Sequence, residues 1–202
     1  MVHDVQRAVR YIRYRARDWK ADPDMAALIG GSAVGYLSNM VGLLNAPGDP
    51  HAADPVERIS AKAQAVVSLY AQSSFEFVPL NANAHCFLDP FIAQKGEKEA
   101  IREASPITHV SKDAPPFLEI LGTQDEYISM SEATNLQAAL HAVRARCDII
   151  VILGGKHGPG GWNKLPNVPD WERQMTAWLN ARLNHTGPIG DGIRPRTSAS
   201  AP

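Results

Sequence analysis

Four short apolar runs set the frame for this chain: MAALIGG at 25–31, AQAVVSL at 63–69, PFLEILG at 116–122 and DIIVILG at 148–154. Each is too short for a core helix and lacks the polar alternation of a strand with one wet face, so each reads as a buried strand. Helical spacing fills the segments between them. An amphipathic helix is expected over 3–20, with Val5, Ala8, Val9, Ile12 and the Tyr11/Tyr14 pair as its stripe. A second is expected over 33–45 (Tyr36, Leu37, Met40, Leu43, Leu44), a charged helix or turn over 94–104, and a long helix over 129–145. A last one spans 169–183, on Trp171, Met175, Trp178 and Leu179. Residues 46–58 are rich in Pro, Asp and Gly and read as a surface loop, and 72–92, with Phe75, Phe77 and Phe87, as irregular. Strands alternating with helices predict an α/β fold, a mainly parallel sheet with helices on both faces. One domain is expected over 1–184, followed by a flexible tail, rich in Gly, Pro, Ser and Thr, over 185–202.

Composition removes several classes of function. The 20 Lys+Arg against 21 Asp+Glu leave a net charge of -1, so no basic field invites nucleic acid or an anionic membrane surface. The N-terminal residues have no apolar signal core and no apolar run is long enough to span a bilayer, so a soluble chain is expected, with the compartment open. Two cysteines, Cys86 and Cys147, make neither a disulfide framework nor a zinc pattern, and each reads as a small buried hydrophobe. No cluster of metal ligands stands out, and neither metal nor cofactor is expected.

Three residues carry the chemistry. Ser32 stands between the strand MAALIGG and a helix, on a turn that would expose its hydroxyl at the C-terminal edge of the sheet. The first backbone N–H groups of that helix, Ala33 foremost, would face a developing oxyanion. A serine in that place also reads as a plain helix N-cap. Asp125 follows the third strand in ILGTQDEY, where an acid could orient a histidine; it also reads as a turn aspartate, with Glu126 as the neighbouring fallback. His157 follows the fourth strand in GGKHGPGG, and its glycines let the loop carry an imidazole over the sheet edge; His85 and His109 are spares. Ser, Asp and His in that order, each just after a different strand, is the order of the α/β-hydrolase triad.

On these residues the chain resembles the acetyl-esterase and feruloyl-esterase-like carboxylesterase branch of the α/β-hydrolases, related to the hormone-sensitive-lipase and prolyl-oligopeptidase types. The matching strings are DVQRAVRYIRYRARDWKADPD, GGSAVGYLSNM, AQAVVSLY, SPITHVSKDAPPFLEILGTQDEYISMSEATNLQAAL and GGKHGPGGW, which together span roughly 4–183. The resemblance implies a serine esterase acting on small-molecule short-chain or carbohydrate- or aryl-linked esters through an acyl-enzyme. Ser32, Asp125 and His157 are the expected triad and the Ala33 N–H the oxyanion donor, with Gly31, Tyr127 and Trp162 beside the substrate. Phe75 and Phe77 could wall the same site, although for all four rings, Trp162 and Tyr127 included, plain packing is the commoner role. Two departures stand out. Where the family elbow reads Gly-x-Ser-x-Gly, this chain has Val34, with Gly35 one place later. Val34 is therefore expected to press on a neighbouring strand, and Val34→Gly to stabilise the fold or raise turnover. The family's first strands, and the His-Gly-Gly-Gly-like loop that gives the second oxyanion donor, have no counterpart here. The sheet is thus expected to lack its first strands, and a homodimer could cover the open edge of MAALIGG. The competing readings are a weak or inactive hydrolase fold serving as a binding or structural module, a peptidase of the prolyl-oligopeptidase type, and a thioesterase or lactone hydrolase.

Overall fold

The computed structural model describes residues 1–76 and 82–183; Phe77, the side chains of Cys86 and Phe87 and the tail expected over 185–202 lie outside the described residues. The sheet holds β1 (Ala27–Gly31), β2 (Ala65–Leu69), β3 (Phe117–Gly122) and β4 (Cys147–Ile152), in the order β1-β2-β3-β4. Every neighbouring pair is parallel. The helices are α1 (Val2–Arg15), α2 (Ala33–Leu44), α3 (Ala82–Lys95), α4 (Glu97–Ala104), α5 (Met130–Ala142) and α6 (Trp171–Leu183). Because all four strands run the same way, their C-terminal ends, and the turns after them, meet along one edge. The two inner strands, β2 and β3, are buried throughout, as the unbroken apolar runs require. The outer strands are wetter: Ile29 of β1 is 50% exposed and Val151 of β4 is 36% exposed.

The pleat divides the core in two. Val66 and Phe117 share one face, packed against Leu43 of α2 and Leu136 and Leu140 of α5. Val67, Leu69, Leu118, Ile120 and Ile152 form the other, under Trp162, Trp171 and the flank of α6. At about 1.5–3 kcal/mol for each large apolar side chain fully buried, these two layers dominate the stability.

Two helices depart from the expected pattern. Of the stripe read on α1, Val9 is buried, but Tyr11, Ile12 and Tyr14 are about half exposed. Arginine tethers hold that helix instead: Arg10 donates to Ile59 O at 2.9 Å and Arg13 to the carbonyl of Lys62 and the side chain of Gln64. The helical spacing was right, and the face it docks was not, because the arginine stems and donors do the anchoring. The later part of 72–92, read as irregular, lies in α3 (Ala82–Lys95), with Pro90 inside it. Its stripe is weak, and the helix is held from outside, with Leu88 and Ile92 clustered with Phe75, Tyr36 and Ile101.

Candidate active site

Ser32 is the residue between β1 and α2, with φ 53° and ψ -123°. This is a strained conformation for a residue with a side chain, and such strain gathers at functional turns. It holds because Ser32 N donates to Leu69 O of the neighbouring strand at 2.9 Å and Ser32 O accepts from Tyr36 N at 2.9 Å. The side chain makes no cap hydrogen bond to α2. Its hydroxyl instead donates to His157 Nε2 at 3.0 Å. The N-cap alternative therefore does not describe what this serine does.

His157 Nδ1 donates to both oxygens of Asp125, at 3.0 and 2.9 Å. A carboxylate can only accept, so it fixes the ring proton on Nδ1 and leaves Nε2 as the acceptor for Ser32. Asp125 also serves its turn: Oδ1 accepts from Tyr127 N and Ile128 N, each at 2.9 Å. Both roles read for it in the sequence are filled at once. Its side chain has no exposed surface, while that of His157 keeps 22%. The exit turns of β3 and β4 are stitched together, with Thr123 N on Ile152 O, Gln124 N on Gly155 O and Gly154 N on the Thr123 hydroxyl. That stitching sets the spacing of Asp125 and His157. Glu126 is exposed, His85 pairs with Asp89, and His109 bonds Glu103 O, so none of the reserve candidates enters the site.

The expected substrate positions separate. Tyr127 is 69% exposed and its ring centroid lies 5.1 Å from that of His157, so it borders the site. Trp162, expected to wall the substrate, is 1% exposed; its indole N–H donates to Lys156 O at 2.8 Å and its ring meets Trp171. It is a pillar beneath the histidine loop and not a pocket wall, held there by that bond and by the layer over β2 and β3. Gly31 faces protein: a Cβ there would sit 2.3 Å from the Tyr70 hydroxyl. Phe75 is buried against Tyr36. Val34 does not press on a strand, since it is 58% exposed.

Sequence reasoning missed Tyr70. It follows β2, has φ 40°, and places its ring 4.9 Å from the imidazole. Burial first, and the nearby Asp125 second, push its phenol above the usual tyrosine value. The signal was available: like Ser32, Asp125 and His157, it stands directly beyond a strand at the same edge. Among the described residues no group of His, Cys, Asp and Glu is arranged to hold a metal ion, and no helix is long and apolar enough to cross a membrane.

The chain is similar to the probable carboxylic ester hydrolase LipM of Mycobacterium tuberculosis, 31% identical over 147 residues, which are 69% of this chain and 33% of the relative. Esterase LipC of the same organism is 32% identical over 162 residues, 77% of this chain and 40% of the relative. The chain thus spans a third to two-fifths of these relatives' lengths. The acetyl ester-xyloside bifunctional hydrolase of Caldicellulosiruptor lactoaceticus superposes with a TM-score of 0.80 at 24% identity, over 89% of this chain and 65% of that one. The BD-FAE family model matches residues 1–140, a stretch that holds Ser32 and Asp125 and stops before His157. On an α/β-hydrolase fold, and with that match over most of its length, the chain belongs to the BD-FAE family.

Proposed function

We propose that this chain carries the catalytic triad of a serine carboxylesterase. The observation that supports it most is the unbroken relay from Asp125 through His157 to Ser32, with contacts of 2.9 and 3.0 Å. In this reading His157 takes the Ser32 proton as the hydroxyl attacks an ester carbonyl. Asp125 holds the tautomer and stabilises the imidazolium. The leaving alkoxide takes the proton back from His157, and water then releases the acid from the acyl-enzyme by the same route. Ala33 opens α2, so its N–H has no partner within the helix and, in this reading, serves the oxyanion. Tyr127 borders the substrate. The relatives named as a carboxylic ester hydrolase and an esterase, and the acetyl ester-xyloside hydrolase among the solved structures, favour small carboxylic esters, with short acyl groups first.

A second reading, a weak or inactive fold used for binding, draws on the open flank of β1, where Ile29 is half exposed and a second copy of the chain could pair. Hydrolysis of p-nitrophenyl acetate by the wild type and by Ser32→Ala separates the two. The esterase reading expects a loss of at least about 10³-fold in kcat. Equal background rates would select the binding module.

A further inference from the structure

The imidazole of His157 has more than two hydrogen bonds around it. Those bonds leave from Nδ1 and Nε2, so they anchor the ring along one line and leave tilting about that line unopposed. Two rings from separate loops meet it there. Tyr70 approaches at 4.9 Å and 75° between planes, and Tyr127 at 5.1 Å and 70°, both T-shaped. Such edge-to-face contacts are the favourable ones for aromatic pairs.

Tyr70 is built into this place. Its backbone sits at φ 40°, where a residue with a side chain is strained and must be held by its surroundings. The surroundings do hold it: its N–H donates to Ile120 O at 2.8 Å, and its ring rests on the buried Trp162 at 5.6 Å and 89°. Behind it, Gln72, Ser73 and Ser74 are fastened to the Glu132 carboxylate of α5. In front, its hydroxyl occupies the room left by the missing side chain of Gly31, the residue before the nucleophile. That hydroxyl has no hydrogen-bond partner among the described residues, so the ring and not the oxygen makes the contact that matters.

We propose that Tyr70, with Tyr127 as its counterpart, is a positioning residue that fixes the plane of the His157 imidazole between Asp125 and Ser32. This rests on the triad reading given above. The rings also lie within reach of the imidazolium formed when Ser32 gives up its proton, and an aromatic ring within about 6 Å favours such a cation. A seat of this kind acts on the chemical step. It therefore changes kcat, whereas a substrate wall changes KM.

The experiment compares Tyr70→Leu, Tyr70→Phe and Tyr127→Leu with the wild type. It measures kcat and KM for p-nitrophenyl acetate and the His157 Nδ1 proton by NMR, assigned by its loss in His157→Gln. Tyr127 is mostly exposed, so its variant keeps the core whole even should Tyr70→Leu fail to fold. Tyr70→Leu is expected to lower kcat about tenfold with little change in KM, and Tyr127→Leu to lower kcat about threefold and, because that ring also borders the substrate, to raise KM as well. Tyr70→Phe, which keeps the ring, should recover most of the Tyr70→Leu loss. The Nδ1 resonance should broaden by exchange in both leucine variants. Wild-type kcat and a sharp Nδ1 proton in the leucine variants would overturn the proposal, as would a Tyr70→Phe no better than Tyr70→Leu. Should the wild type match Ser32→Ala on the ester, the esterase reading fails by itself. The seat is then judged on the Nδ1 proton alone, broadened if it stands and unchanged if it falls.

Discussion

Asp125 and Glu119 lie six residues apart, one in the turn after β3 and one inside that strand, and both carboxylates are hidden from solvent. Asp125 is surrounded by donors: two backbone N–H groups of its own turn and the N–H of His157. Glu119 faces β2 beside Ser68 on the face covered by α2 and α5, and its Oε1 has no partner among the described residues. Burial, reinforced by Glu132 and opposed by Ser68, pushes its acid up to about 8, so it is buried as the neutral acid at ordinary pH. What separates a usable carboxylate from a stored proton is the count of donors aimed at it, and the sheet edge supplies donors that the sheet interior cannot.

The comparison is tested hardest at Asp125. Asp125→Asn keeps the shape but cannot accept at both oxygens, and its amide can present a donor to Nδ1. The imidazole is then free to turn to the other tautomer, with its proton towards Ser32. A fall of roughly 10⁴-fold in kcat, with KM for p-nitrophenyl acetate little changed, is the expected result. A fall below about tenfold would mean that the donors around Asp125 serve only the turn.

Glu119 sharpens the contrast through pH. Its folded value, about 8, lies above the ordinary carboxylate value of 4.5, so the folded state binds its proton more tightly than the unfolded state. The stability this contributes is complete below about pH 4.5 and is lost as pH rises through about 8. Across that window the loss is on the order of 1 kcal/mol per pH unit. Glu119→Gln has no proton to lose. Its urea midpoint, compared with that of the wild type at pH 5 and pH 9, should gain on the wild type as pH rises. A constant difference between the two would place an unseen partner on Glu119 and make the two carboxylates alike.

How much of this was legible in the sequence follows the same division. The strands, their parallel direction and the three residues whose side chains meet at the edge, Ser32, Asp125 and His157, could be read because short apolar runs and strand-end turns are local signals. The relay then depends only on which edge the turns share, which parallel strands guarantee. Tyr70 was passed over although its place after β2 was legible, because what turns its ring to the imidazole is a positive φ on a non-glycine residue, which no residue type announces. Of the two roles open to Trp162, packing is the one it fills, and the sequence could not decide between them, since a tryptophan five residues after a histidine reads the same whether the chain turns in or out. In α3 the stabilising contacts come from outside the helix, from Phe75, Ile101 and the more distant Tyr36, and its own stripe does not announce them. In α1 the stripe was legible and the tethers were not, because the carbonyls that Arg10 and Arg13 reach lie 49 residues along the chain.

The elbow itself gives the smallest effect and a reversal of sign. From the sequence, Val34 stood where a glycine was wanted. In the structure the tight approach is between the strand and the backbone of α2: a Cβ on Gly30 would lie 2.6 Å from the Val34 carbonyl carbon, and one on Gly35 2.7 Å from Ala71 Cβ. The demand for glycine therefore falls on positions 30 and 35, which have it, and passes over 34, whose side chain points to solvent. Val34 also contributes its carbonyl, which accepts from the Ser38 hydroxyl at 2.9 Å whatever the side chain. Val34→Gly thus relieves nothing. It adds backbone freedom to the first turn of α2 and is expected to destabilise the fold by about 0.5 kcal/mol, with kcat within about twofold of wild type. A rise in the urea midpoint or in turnover would restore the strained elbow read from the sequence, and would mean that the close contact at Gly30 is transmitted through the valine.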